Sequence, residues 1–178
     1  MTMTAFETTA ERYRRRVFSF ARSLLSNREE AEEVTQDVLL RLWRHERTVE
    51  EERLGPWLLR VTRNACYDLL RKRRSHRILA GPPAHEEEAE AVPSAEPDPE
   101  SRLRAADFRR RLKEALEAVG EPYRTVVLLR EVQGLPHREI SEALGVPEAT
   151  VRVHLHRGRR RLREILREVY EDDARRST

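Results

Sequence analysis

The sequence predicts an all-α protein built as two small helical domains joined by a flexible acidic linker, the C-terminal one a helix-turn-helix, and three observations predict it. Apolar residues recur at helical spacing through both halves, and no alternating strand pattern is present. Charge changes sharply along the chain: residues 1 to 76 hold sixteen Lys/Arg against twelve Asp/Glu, residues 77 to 101 one against seven, and residues 102 to 178 eighteen against thirteen. The middle segment, RILAGPPAHEEEAEAVPSAEPDPES, contains five of the nine prolines and almost no large apolar side chains. Such a segment cannot bury enough surface to offset its ordering entropy, so 77 to 101 is expected to be the linker and 1 to 76 and 102 to 178 the domains.

The bulk composition agrees. Of 178 residues, 38% are hydrophobic, 38% charged and only 6% aromatic, which suits helices with narrow apolar stripes and excludes a large β-core. Among 35 basic residues only Lys72 and Lys113 are lysines. The positive charge is therefore nearly all guanidinium, whose planar fork of donors matches phosphate, and a pI near 9.4 favours an anionic partner. The single cysteine, Cys66, excludes an intramolecular disulfide and is expected in the core. The segment MTMTAFETTAERYRRR lacks the apolar stretch of a signal peptide, and no run is long enough to cross a bilayer. A cytoplasmic protein without membrane insertion is expected.

In the first half, the apolar spacing predicts three helices, roughly 5 to 25, 29 to 47 and 54 to 74. Ser26-Asn27 supplies N-cap chemistry before the acidic turn at Glu29-Glu30, where carboxylates meet the positive end of the helix dipole. Leu54-Gly55-Pro56 breaks the chain before Trp57, and Pro56 fits a first helical turn. The third helix carries Leu58, Val61, Ala65 and Leu69 on an inward stripe and Arg60, Asn64, Tyr67 and Arg71 on another. Guanidinium, amide and aromatic groups together suit single-stranded or distorted DNA, where bases stack or expose edges that a duplex hides.

The second half predicts four helices, near 103 to 119, 122 to 132, 136 to 144 and 148 to 171, punctuated by Gly120, Gly134 and Gly145. A short helix with Ile140 and Leu144 on one face, a turn at Gly145-Val146-Pro147 and a longer helix from Glu148 form the helix-turn-helix pattern. In that longer helix Val151, Leu155, Leu162, Ile165 and Val169 form the expected buried stripe, and Arg152, His156, Arg159 and Arg163 an outward one. Arginines in the first turns of a recognition helix reach base edges and phosphates.

Catalytic chemistry finds no support. His154 and His156 diverge on a helix, Cys66 has no partner cysteine, and no zinc-binding, phosphate-loop or nucleophilic-serine motif occurs. No catalytic residue, metal or cofactor is expected, and the protein is read as a non-enzyme.

The segments AEEVTQDVLLRLWRH (31 to 45), PWLLRVTRNACYDLLRKRR (56 to 74) and YRTVVLLREVQGLPHREISEALGVPEATVRVHLHRGRRRLREIL (123 to 166) resemble the successive core segments of extracytoplasmic-function, or group 4, RNA polymerase sigma factors. The resemblance implies promoter-specific initiation, with core RNA polymerase and promoter DNA as partners. It matches Glu32, Glu33, Gln36, Asp37 and Arg41 to the helix that grips the clamp coiled coil, and assigns the C-terminal domain to the polymerase flap. It matches the loop from Glu50 to Gly55 and the face of Arg60, Asn64 and Tyr67, with Arg71 continuing it, to the part that opens the minus-ten element. It matches Arg152, Val153, His156 and Arg157, beside Arg159 of the outward stripe, to positions that read the minus-thirty-five duplex. An anti-sigma protein is a further partner often found in the family.

This chain departs from the family pattern at Val119-Gly120, where Leu-Pro is usual, at Ser141 and Gly158, where alanine is usual, at Val153, usually serine, and at His154, usually arginine. Gly158 inside a helix costs about 1 kcal/mol relative to alanine. A dimeric helix-turn-helix regulator acting without core polymerase is the alternative reading. It leaves the clamp-like segment and the amide-aromatic face unexplained.

Overall fold

The computed structural model describes residues 3–45, 50–80 and 99–176, and the described residues form helices and the short turns between them. In order these are α1 (Met3–Leu25), α2 (Arg28–His45), α3 (Leu54–Ala80), α4 (Pro99–Val119), α5 (Tyr123–Val127), α6 (His137–Leu144) and α7 (Glu148–Arg176). A 3-10 turn, Glu51–Arg53, runs directly into α3, and α5 continues into one π-helical turn, Leu128–Val132. Contact density divides the chain into two compact units, Met1–Ala84 with Leu128–Arg152, and His85–Val127 with Val153–Thr178.

The expected helices are present, and three of them are extended, the last one, α7, running to Arg176 rather than ending near 171. α3 continues past residue 74 to Ala80, because no breaker occurs before Gly81, and α4 begins at Pro99, whose fixed φ suits a first helical turn. Both ends of the segment read as linker are thus helical, and its acidic stretch, 81 to 98, lies outside the described residues. The Glu50-to-Gly55 loop is also more ordered in form than a loop: the Arg53 amide donates to Glu50 O at 2.9 Å and closes the 3-10 turn. At the α1–α2 junction the two candidate caps divide the work. Ser26 takes a left-handed conformation, φ 57°, with its amide bonded to Arg22 O, while Asn27 Oδ1 accepts the Glu30 amide at 3.0 Å and caps α2.

In the first unit α1, α2 and α3 pack against one another around Phe20, Leu24, Val38, Leu42, Leu58 and Cys66, all buried. Each large apolar side chain withdrawn this way contributes about 1.5–3 kcal/mol. Two threonines, Thr35 and Thr62, enter the same core with their hydroxyls donating to Ala31 O at 2.6 Å and Leu58 O at 2.7 Å, so neither hydroxyl is stranded. Arg73 Nε donates to Glu30 Oε1 at 2.7 Å and ties the far half of α3 to the start of α2. α6 lies against α3, with Ile140 and Ala143 buried. Its end is built by Gly145, whose φ of 68° costs a glycine nothing, with the Gly145 and Val146 amides both donating to Ser141 O. Ser141 has a reason to differ from alanine: its hydroxyl donates to Val146 O at 2.6 Å and pins the turn that launches α7.

The second unit gathers α4, α5 and the body of α7, burying Ala115, Val119, Val126, Val127 and Leu155. Arg161 lies over the Tyr123 ring at 4.6 Å and donates to Val119 O at 3.3 Å. On α4, Asp107 accepts from Arg110 at 2.7 Å and Arg111 at 2.6 Å. The Arg110 hydrogen bond is the main cause that holds the Asp107 carboxyl below the usual range, so whatever this exposed cluster adds is present at neutral pH and lost as pH falls through that lowered value.

Gly158 is buried in the middle of α7, and here the departure from alanine is explained by clearance. A Cβ at this position would stand 2.7 Å from Val127 Cγ2 and 3.3 Å from both Cβ and the carbonyl oxygen of Tyr123. Val127 is β-branched and buried, so it has no easy rotamer to give. Gly158→Ala should therefore destabilise the protein by about 1–3 kcal/mol, although alanine is the better helix former. Chemical denaturation measures this, and adding Val127→Ala should recover part of the loss; a neutral or stabilising Gly158→Ala would contradict the packing described.

Candidate nucleic-acid interface

Successive residues of α7 rotate by about 100°, so the buried Val151, Leu155 and Gly158 define one side of the helix and fix what stands opposite. Diametrically outward lie Ala149, Val153, His156 and Arg160, all exposed, with Arg157 beside them. Arg152, Arg159 and Arg163 are also exposed but run along one flank of that face. Arg152 is held by Glu148 at 3.7 Å and Arg160 by Glu164 at 3.6 Å, both ion pairs one turn apart. Leu162 and Ile165 are half-buried rather than buried, and the side chain of Val169 lies outside the described residues. His154 does not join the outward face: it is half-buried, its ring edge-on to Tyr123 at 5.4 Å. The sequence reading missed Arg160, which the helical wheel places nearer the centre of the face than Arg152.

On α3 the inward residues are as expected, with Leu58 and Ala65 buried and Val61 and Leu69 half-buried, and Leu59, Thr62 and Cys66 join them. Of the outward set, Asn64 is exposed, and Arg71 is exposed and pairs with Asp68. Tyr67 is half-buried with the Arg63 guanidinium 5.4 Å from its ring centre. Trp57 is half-buried beside His45, ring centres 6.1 Å apart. Arg60 is committed elsewhere: its Nε donates to Ala143 O at 3.1 Å and its Nη2 to Glu142 O, at the end of α6. Carbonyls in the last turn of a helix have no intrahelical partner, and a cation there also meets the negative end of the helix dipole. Two further contacts tie the Leu128–Arg152 part of the first unit to α1, Gln133 Nε2 to Ser19 Oγ at 3.1 Å and Arg16 to Glu139 at 3.6 Å.

On α2, Glu32 accepts from Arg28 at 3.0 Å, Asp37 pairs with Arg41 at 2.7 Å, and Glu33 and Gln36 are exposed. Between them the structure adds two residues that the sequence reading did not single out. Leu40 is 56% exposed and lies on the line of Glu33 and Gln36, and Trp43 is 46% exposed with its ring edge against Phe6 at 4.8 Å. The apolar run Val38-Leu39-Leu40 hid this, because only the wheel angle separates the buried Val38 from the outward Leu40. A cavity of about 750 Å³ opens beside them, lined by Phe6, Ala10, Phe18, Gln36 and Leu40 among others. Among the described residues no helix is long and apolar enough to cross a membrane.

A helix-turn-helix whose second helix turns a guanidinium-rich face outward, in one chain with a further helical bundle, defines a DNA-binding protein. Residues 9–76 match the Sigma-70 region 2 family and residues 109–162 the Sigma-70, region 4 family. The chain is 32% identical over 164 residues to the ECF RNA polymerase sigma factor SigE of Mycolicibacterium smegmatis, covering 92% of this chain and 62% of that one. It is 31% identical over 172 residues to the RNA polymerase sigma factor CarQ of Myxococcus xanthus, covering 96% of this chain and 94% of that one. The fold is shared with the sigma factor RpoE solved in complex with the anti-sigma factor NepR from Bartonella quintana, at TM-score 0.70, 24% identity, and 93% and 98% coverage. It is shared also with CnrH solved with the cytosolic domain of CnrY, at TM-score 0.68, 21% identity, and 94% and 90% coverage.

The chain therefore belongs to the extracytoplasmic-function, group 4, branch of the sigma-70 family of RNA polymerase sigma factors. Sigma factors direct promoter-specific transcription initiation by RNA polymerase and are not themselves enzymes.

The Arg60 contact is directly testable. Its two donors to two carbonyls make a fork that lysine cannot reproduce, and hydrogen bonds to a charged group contribute about 1.5–3 kcal/mol each, less here because Arg60 is exposed. Arg60→Ala should speed amide exchange across α6 by roughly tenfold while leaving the α1–α2 packing protected, and Arg60→Lys should fall between. Equal exchange in α6 for all three proteins would show that the fork holds nothing.

Proposed function

We propose that the outward face of α7, through Arg152, Val153, His156, Arg157 and Arg159, contacts the minus-thirty-five duplex, and that Arg60, Asn64, Tyr67 and Arg71 of α3 engage the minus-ten element once its strands part. The observation that carries this is the one-sided surface of α7: an apolar stripe buried on one side and guanidinium groups exposed on the other. Guanidinium supplies phosphate contacts for register and bidentate contacts for guanine. For Arg60 to serve through its Nε/Nη2 edge, that edge must exchange the α6 carbonyls for nucleic acid. In this reading 1–76 and 102–178 are the promoter-binding domains, and the negative charge of the segment between them keeps it from gripping DNA.

Glu32, Glu33, Gln36, Asp37 and Arg41 form the surface for the clamp coiled coil of core polymerase, with Leu40 as the apolar centre that interfaces require inside a polar rim. The C-terminal domain meets the flap. Two structural neighbours were solved with anti-sigma partners, NepR and CnrY, and an anti-sigma protein is proposed here as well. The protein works in the cytoplasm, without membrane insertion, where polymerase and promoter are.

Run-off transcription with bacterial core RNA polymerase tests the reading: promoter-dependent transcripts support it, and duplex binding indifferent to core would favour a self-sufficient regulator instead. Two substitutions test its parts. Replacing Glu33, Gln36 and Asp37 by Gln, Ala and Asn should weaken core binding by roughly tenfold or more while duplex binding persists; unchanged core affinity removes that surface from the assignment. Asn64→Ala should spare the closed complex and lower permanganate reactivity of the bubble thymines, and a wild-type bubble would count against a base contact by Asn64.

A further inference from the structure

Val153 is the residue of α7 whose placement the charge of the face does not explain. It stands opposite the buried stripe of Val151, Leu155 and Gly158, at the centre of the outward face, and is 47% exposed. One turn earlier Ala149 is exposed as well. Around this aliphatic strip stand Arg152, His156, Arg157 and Arg160, all exposed. Val153 is not there for the core, which lies on the other side, nor for helix stability, since a β-branched residue is a weaker helix former than the arginines around it. Its neighbour His154 does not cover it, being turned onto the Tyr123 ring.

A phosphate-gripping surface has no use for a hydrocarbon at its centre. A base-reading surface does, because among the groups displayed in the major groove only the C5-methyl of thymine is apolar. We infer that Val153, with Ala149 beside it, is a specificity residue that reads a thymine methyl in the minus-thirty-five duplex, flanking arginines taking phosphates and guanine. This rests on the assignment of α7 as the reading helix and deepens it by naming the group read. Ala149 and Val153 lie about 6 Å apart along the helix, so the methyl groups within reach span roughly two base-pair steps. With serine, the usual residue at this position, the hydroxyl would satisfy donors and acceptors of any base, whereas valine rewards one.

The test uses the full chain with core polymerase. A preferred minus-thirty-five sequence is first selected from duplexes randomised there, and each thymine in it, on either strand, is then replaced singly by deoxyuridine, which differs only by the methyl group. One such replacement should lower wild-type affinity by about 3- to 10-fold. Val153→Ala should shrink that thymine-to-deoxyuridine ratio towards one at the same position, and Val153→Thr, which keeps a methyl group, should retain part of it. Because Val153 meets no phosphate, the salt dependence should keep its slope in both variants. A selected site without thymine, no deoxyuridine effect at any position, or a ratio unchanged in Val153→Ala overturns the inference and leaves the sigma reading standing. Failure to select any preferred sequence, with no promoter-dependent transcript, overturns both.

Discussion

The direction in which α7 faces is set by what its inner side buries. Val151, Leu155 and Gly158 must all be covered, and the Gly158 backbone approaches Tyr123 and Val127 so closely that the helix cannot roll without either a clash or an exposed stripe. A roll of one residue would turn Val153 aside and bring His154 outward, breaking its ring contact with Tyr123. The surface offered to DNA is thus a by-product of core packing. The side chains proposed to read DNA take their aim from residues that never leave the interior.

The arginines on these faces are held lightly. Arg152 with Glu148, Arg160 with Glu164 and Arg28 with Glu32 are exposed pairs one turn apart, each contributing a few tenths of a kcal/mol at most. Such pairs keep a long side chain near its working position without binding it firmly. A phosphate or a partner's carboxylate can displace the local glutamate at little cost, which a buried, fully bonded arginine would not allow.

Much of the fold could be read from the sequence because its rules are local. Helical periodicity, the Asn27 cap, the Pro56 entry and the Gly145 turn each involve residues within a turn or two of one another, and each is found as expected. What the sequence concealed depends on distant partners. Nothing near Arg60 signals that its guanidinium meets carbonyls more than eighty residues away, and nothing near Gly158 signals that Val127 leaves no room for a methyl group. Leu40 and Trp43 were lost in an apolar run whose wheel angles shift burial within a single residue. The candidate site falls between these cases: its residue types are legible, but which stand at the centre of a face and which at its flank is decided by the buried side.

Arg60 places α3 and α6 in a competition governed by mass action. The guanidinium caps the α6 carbonyls through its Nε/Nη2 edge, so a ligand claiming that edge from the α3 side must leave Glu142 and Ala143 oxygens to water. Binding on that face and docking of α6 are then negatively coupled, and the coupling is reciprocal: whatever loosens α6 strengthens the ligand by the same factor. If the exchange involves one charge-assisted hydrogen bond, that factor is on the order of ten. One side chain makes two surfaces of the molecule answer to each other.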